Sequence, residues 1–175
     1  LNLEIAPTKE MIAIAIRNKP DFVCIVPEKR KEITTEGGLN LKSGIKNLKK
    51  YIFKLKKKNI RVSLFINPNI NDIKIASSLN CDCVELHTGS FCKAVLYNKK
   101  SLIKSLYKKI KSCSLLSKKL YLDVHAGHGL TYKSAIKLRK INEISEFNIG
   151  HFIVAESIFV GMKSTIKKFI KVINN

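Results

Sequence analysis

Six short apolar runs recur along the chain, each followed by residues whose apolar positions fall three and four apart, and this alternation constrains the fold more than any other feature. The runs are 1–5, 21–26, 60–66, 83–87, 120–125 and 147–149. Thr8 reads as the N-cap of a helix carrying Met11, Ile12, Ile14, Ala15 and Ile16. A long helix is expected over about 41–58, and Asn67-Pro68-Asn69 turns the chain into another that ends near Leu79. A Lys-rich helix over about 99–116 separates the fourth and fifth runs, and the sixth leads through Gly150-His151 into a short apolar segment and a last helix, about 162–173. Several runs are apolar on both faces, as strands are when helices cover both sides of a parallel sheet. The class is therefore α/β. The Gly-rich fingerprint of a dinucleotide-binding doubly wound sheet is missing after the first run. Glu4, Glu28, Glu85, His87, His125, His128, Gly150 and His151 fall at or just beyond the carboxyl ends of strands, where a closed barrel keeps its active site.

A chain of 175 residues with 45% hydrophobic residues suits one domain with a real core, which excludes disorder and fibrous repeats. Its 33 Lys+Arg against 13 Asp+Glu give a net charge of +20. The lysines cluster where helices should expose a face: Lys42, Lys46, Lys49, Lys50, Lys54, Lys56, Lys57 and Lys58 lie opposite Ile45, Leu48, Ile52 and Leu55. That is the pattern of a solvated helix face. A basic nucleic-acid-binding module is the alternative from another class, but such a surface usually adds Arg forks or interleaved aromatics, and Arg is confined to Arg17, Arg30, Arg61 and Arg139. Five Cys without a secretory leader point to a reducing, cytoplasmic setting and free thiols, with Cys24 in the core and Cys81 and Cys83 on one face of a strand. The greasiest segment, 151–161, is broken by Glu156 and is too short to span a bilayer, so no membrane role is expected. The start at Leu1, directly on an apolar alternation, reads as cut rather than natural.

Two carboxylates interrupt the strand pattern, Glu4 in Leu3-Glu4-Ile5 and Glu85 in Val84-Glu85-Leu86-His87. Either could be a buried Glu paired with an inward cation, or an acid or base whose pKa rises toward neutrality in water-poor surroundings. In His125-Ala126-Gly127-His128-Gly129-Leu130, glycines flank an imidazole that titrates near neutral pH and let the backbone approach a ligand. Asn148-Ile149-Gly150-His151 precedes the apolar segment 152–159, and a phosphate site in such barrels lies after the last two strands at the N-terminus of a short helix. That geometry predicts a phosphorylated ligand. Two His could instead bind zinc, but no convincing third ligand accompanies them. The loop 29–38, with Thr34-Thr35-Glu36-Gly37-Gly38, is long enough for a lid, though a plain solvated loop fits it too.

Seven motifs in order complete the reading: Leu3-Glu4-Ile5-Ala6, Val26-Pro27-Glu28-Lys29-Arg30, Thr34-Thr35-Glu36-Gly37-Gly38-Leu39, Val62-Ser63-Leu64-Phe65-Ile66, Glu85-Leu86-His87-Thr88-Gly89, Ala126-Gly127-His128-Gly129-Leu130 and Asn148-Ile149-Gly150-His151. Together they resemble the pyridoxine 5′-phosphate synthase family, collinearly from Leu1 almost to Asn175. The resemblance implies a TIM (β/α)₈ barrel, a fold of roughly 250 residues, of which residues 1–175 hold strands three to eight as a single partial domain. The family's Asn-x-Asp-His and His-x-Arg-Glu-Asp-Arg-Arg-His motifs, expected in the first two βα units, do not occur here. The implied reaction joins 1-deoxy-D-xylulose 5-phosphate to 3-amino-2-oxopropyl phosphate, giving pyridoxine 5′-phosphate, phosphate and water in vitamin B6 synthesis. By the same resemblance Glu4 is the catalytic carboxylate, His128 a catalytic acid/base and Glu85 a second acid that assists proton transfers. Thr34 contacts the deoxyxylulose phosphate, while Gly129, Gly150 and His151 grip the phosphate of the amino ketone. No metal or organic cofactor is implied, and family members assemble as homo-oligomers, typically octamers. His125 departs from the family, which usually has a small or amide residue there. A phosphate-binding barrel enzyme of different chemistry is the rival within the same class.

Overall fold

A computed structural model describes residues 1–27, 37–42 and 44–174. Six parallel strands form one sheet in chain order: β1 (Asn2–Ile5), β2 (Phe22–Ile25), β3 (Arg61–Ile66), β4 (Cys83–His87), β5 (Asp123–Gly127) and β6 (Glu146–Asn148). Among the described residues eight helices follow or link them: α1 (Lys9–Asn18), α2 (Ile45–Lys56), α3 (Ile70–Ser78), α4 (Gly89–Leu96), α5 (Lys100–Lys119), α6 (Tyr132–Leu138), α7 (His151–Val160) and α8 (Met162–Asn174).

The two faces of the sheet bury different side chains, which is why the strands read as continuous apolar runs. Val62, Leu64 and Ile66 of β3 join Val23, Ile25, Val84, Leu86 and Val124 in a large core against the helices. The alternate positions turn the other way, where Cys24, Val26 and Phe65 make a separate small cluster. This inner face also carries Glu4, Ser63, Glu85, His125 and Asn148. One cavity is lined from both edge strands, by Asn2 and Glu4 on one side and by Glu146 to Asn148 on the other. The sheet is therefore curled toward itself, a parallel half-barrel whose polar inner face lines an open cavity.

Helix ends follow local chemistry. The Thr8 side chain accepts a hydrogen bond from the Met11 N–H at 3.2 Å, and the Asn69 side chain accepts from Asn71 N–H at 2.8 Å, so both expected starts are capped. Helix α2 begins later than the hydrophobic pattern indicates. Gly44, left-handed at φ +79°, precedes it, Leu41 is buried in the turn before it, and Ile45 at its first position is 38% exposed rather than part of the buried stripe. The stripe itself is Leu48, Tyr51, Ile52 and Leu55, with Lys46, Lys49, Lys50 and Lys54 exposed.

Strand β5 corrects the expectation of 120–125. Helix α5 runs on to Lys119 and the chain turns through Tyr121, which is left-handed at φ +59° and almost fully exposed. The strand then continues through Ala126 and Gly127, so His125 sits in its middle and not at its carboxyl end. Helices α4 and α6 were not expected, and the apolar segment after Gly150 is helical as α7. Cys81 and Cys83 do not share a face: Cys81 precedes β4 and joins the large sheet–helix core, to which Cys83 does not contribute. All five thiols are free and buried.

Candidate active site

Glu85 lies at the centre of the inner face, in register with Phe65 of β3 and His125 of β5. It is 3% exposed. The Asn148 amide donates to Glu85 Oε2 at 2.6 Å and the Cys24 thiol donates to the same oxygen at 3.3 Å. Burial raises the Glu85 carboxyl from 4.5 to about 7; the Asn148 and Cys24 hydrogen bonds oppose the rise, while the charges of Glu4 and Glu146 add to it. The carboxyl is thus poised to give or take a proton at neutral pH. It fits because residue 127 is glycine: a Cβ built there would overlap Glu85 Oε1.

His128 follows β5 in the left-handed region at φ +74°, and Gly129 repeats the conformation at φ +75°. A non-glycine residue held there is strained unless its surroundings enforce the turn. Thr88 does so. Its hydroxyl lies 2.8 Å from the carbonyl oxygens of both Gly127 and His128, and its N–H donates to Gly127 O at 2.9 Å. The His87 ring packs on that of His128 with centroids 4.8 Å apart and meets Phe65 edge-on at 5.3 Å. Burial, with a smaller contribution from His128, holds the His87 imidazole down at about 4, so it stays neutral beside His128 at physiological pH.

Toward the amino ends of the strands the inner face changes character. Arg61 stacks over the Phe22 ring at 4.4 Å and pairs with Asp123, which also pairs with Lys118. His125 lies against Phe22 and 3.5 Å from Glu146 Oε1. Burial lowers its pKa despite Glu146 and Asp123, so His125 is a buried, mostly neutral group beside Glu85 in the sheet, not a wall of the cavity.

The cavity measures about 750 Å³, enough for small phosphorylated molecules. Glu4, Glu85, His128, Gly129, Gly150 and His151 all line it. Glu4 is exposed, because its strand is an edge of the sheet, so neither of the environments expected for it, an inward ion pair or a water-poor pocket, surrounds it among the described residues. Gly150 precedes the first turn of α7 and His151 opens it, putting the N–H groups of a helix start against the cavity. Glu28 and Thr34 lie outside the described residues. Sequence reasoning missed Asn148, Thr88 and Gly127 as parts of the site, and it placed Cys24 only in the core. Asn148 and Gly127 stand inside recognised motifs, but no rule of spacing announces a neutral amide as the partner of a carboxylate two strands away.

The chain matches, over residues 1–175, the family model described as pyridoxal phosphate biosynthesis protein PdxJ. It is 57% identical over 173 residues to a pyridoxine 5′-phosphate synthase of Pelagibacter ubique, covering 99% of this chain and 72% of that protein. Proteins of the same name from Zymomonas mobilis and Syntrophobacter fumaroxidans are 46% and 44% identical, with 96% and 99% of this chain covered and 64% and 72% of theirs. Among solved structures, the Amycolatopsis orientalis BexX/CysO complex superposes with TM-score 0.61 at 9% identity, over 94% of this chain and 60% of that one. A xylose isomerase domain protein from Planctomyces limnophilus gives 0.57 at 10% identity, over 100% and 71%. At such identities the structural likeness concerns the fold alone.

Proposed function

The chain belongs to the family of the pyridoxal phosphate biosynthesis protein PdxJ, and we propose that it is the larger part of a pyridoxine 5′-phosphate synthase. The reaction condenses 1-deoxy-D-xylulose 5-phosphate with 3-amino-2-oxopropyl phosphate to pyridoxine 5′-phosphate, releasing phosphate and water. The observation that carries this reading is the convergence of Glu85, whose carboxyl is pushed to about 7, with Glu4 and His128 in one cavity beside the start of α7. Addition of an amine to a carbonyl, loss of phosphate and closure of an aromatic ring each need proton transfers that carboxylates and imidazoles perform at neutral pH. In this reading Glu4 is the principal catalytic carboxylate, His128 an acid/base and Glu85 a second proton carrier. Gly129, Gly150 and His151 hold the phosphate of the amino ketone at the positive end of the α7 dipole, and Thr34 contacts the deoxyxylulose phosphate.

Six strands, each edge strand paired on one side only among the described residues, fit strands three to eight of a (β/α)₈ barrel, with two further βα units between β6 and β1. The greater length of the relatives agrees with that number. Homo-oligomerisation belongs to the same reading, since Val154, Ile158 and Phe159 of α7 are 60%, 78% and 84% exposed and apolar. So does a cytoplasmic location, in keeping with five free, buried thiols; among the described residues no helix is long and apolar enough to cross a membrane.

The test supplies the complete protein with both substrates and follows inorganic phosphate and the fluorescence of the pyridine product, each substrate alone serving as control. Phosphate release without the pyridine would assign the cavity to a different phosphoryl chemistry.

A further inference from the structure

Glu85 is held asymmetrically. Oε2 takes both hydrogen bonds, from Asn148 on β6 and from Cys24 on β2, while no described residue donates to Oε1, which rests over the bare α-carbon of Gly127. Two strands on either side of β4 thus grip one oxygen, and a glycine on a third strand leaves room for the other. The burial of the thiol keeps Cys24 protonated, so it is a donor at any physiological pH. The Asn148 amide must present its nitrogen to an ionised carboxylate, which can only accept.

We infer that Asn148 and Cys24 are positioning residues for Glu85: they anchor Oε2 and favour the ionised form, leaving Oε1 open to the cavity as the oxygen that exchanges protons. Gly127 belongs to the same device, because any side chain there would expel Oε1 from this position. The inference rests on the synthase reading for the substrate with which Oε1 exchanges, but the anchoring of Glu85 is measurable without it.

The other groups facing Glu85 set the direction of its titration. Glu4 from β1 and Glu146 from β6 oppose ionisation by like charge; Phe65 from β3 adds desolvation, and His125 from β5 is largely neutral. No fixed cation among the causes of its shift stands close enough to offset burial. The two neutral donors therefore supply the chief stabilisation of the carboxylate, and removing either should move its titration to higher pH. This sign holds whether Glu85 acts as acid or base.

The experiment compares Asn148→Ala, Cys24→Ala and Cys24→Ser with the parent and with Glu85→Gln in the complete protein. Asn148→Ala should move the Glu85-dependent limb of the kcat profile upward by about one pH unit, the scale of one charge-assisted hydrogen bond. The KM for each substrate should change less than about threefold, and the variant should lose nothing further when combined with Glu85→Gln. Cys24→Ala should shift the limb in the same direction, and Cys24→Ser, which restores a donor at the same place, should return it. The serine and alanine variants keep the inference testable should Asn148→Ala fail to fold. The Glu85 carboxyl band is read separately by infrared difference against Glu85→Gln. If the complete protein performs no condensation, the synthase reading fails, while an upward move of that band in Asn148→Ala and Cys24→Ala still supports the anchoring. A limb and band unmoved by both alanine variants, or kinetic losses that multiply with that of Glu85→Gln, would overturn it.

Discussion

The hydroxyl of Thr88 lies 2.8 Å from the carbonyl oxygen of His128, so the residue that ends one strand–helix junction fixes the backbone turn of the next. The turn is left-handed at His128 as well as at Gly129, and at His128 the side chain makes that conformation costly. Thr88 is fully buried, which makes this contact costly to lose. Thr88→Val keeps the shape and removes the donor from two carbonyls, and should cost about 1–2 kcal/mol in urea denaturation. Because it lets the imidazole drift, kcat should fall about tenfold. Thr88→Ser should recover most of both. Equal stability of the valine and parent proteins would mean that the turn is held by other contacts.

Glu4, on the edge strand β1, and Glu85, on the interior strand β4, line the same cavity. Glu4→Gln in the complete protein keeps the shape and removes the proton acceptor. It should lower kcat by at least about a hundredfold with an unchanged circular dichroism spectrum and melting temperature. Because Glu4 is exposed on an edge strand, its replacement carries little packing cost, and a folded but slow variant is the expected result. Unchanged turnover would remove Glu4 from the chemistry.

His151 is expected to leave a different kinetic signature. It is exposed, opens α7 and lines the cavity. A group that grips phosphate binds ground state and transition state alike, so His151→Ala should raise the KM for the amino ketone more than it lowers kcat. A loss confined to kcat would move His151 into the proton-transfer steps.

The parts of the fold legible in the sequence are those written in period and punctuation. The strands β2, β3 and β4 were readable because each is a short, nearly fully buried run whose helix-facing positions are Val, Ile or Leu, and Thr8 because a cap needs only local chemistry. Helix α4 was not legible: at eight residues it is short and mostly apolar, and the Thr88 hydroxyl that would mark its start is turned to Gly127 and His128 instead. Helix α6 has a capping box built from Thr131 and Ser134, where serine replaces the usual Glu or Gln three residues on. The segment around His125 was misread because Ala126-Gly127 looks like loop, yet a strand that passes over a buried carboxylate needs a residue without a side chain. In the site, Glu4, His128 and His151 stood out as ionisable groups at strand or helix ends, and Glu85 as a carboxylate that interrupts an apolar strand, although it sits in the middle of β4 and not at its carboxyl end. Asn148 and Thr88 did not, since a neutral donor acquires its role only from a partner 63 or 40 residues away in the chain.

The raised Glu85 carboxyl makes a prediction about stability as well as rate. Its pKa is about 7 in the folded protein against 4.5 for an ordinary glutamate. Below 4.5 both folded and unfolded chains hold the proton. Between 4.5 and about 7 the folded chain keeps a proton that the unfolded chain has released, so stability falls as pH rises through this window, and above it the cost is complete. The full displacement corresponds to about 3 kcal/mol. Glu85→Gln cannot ionise, and its amide oxygen can still accept from Asn148 and Cys24. Relative to the parent it should therefore gain up to about 3 kcal/mol between pH 4.5 and pH 8 in urea denaturation, while losing activity. His87 shifts in the opposite sense: with a folded pKa of about 4 against 6.5, it costs stability as pH falls, because the unfolded chain takes up the proton first. That contribution is common to parent and variant and cancels in their difference to the extent that the two sites titrate independently, which isolates Glu85. A difference that does not change with pH would mean that Glu85 titrates as an ordinary surface carboxylate, and the proton-carrying role assigned to it would fall with its burial.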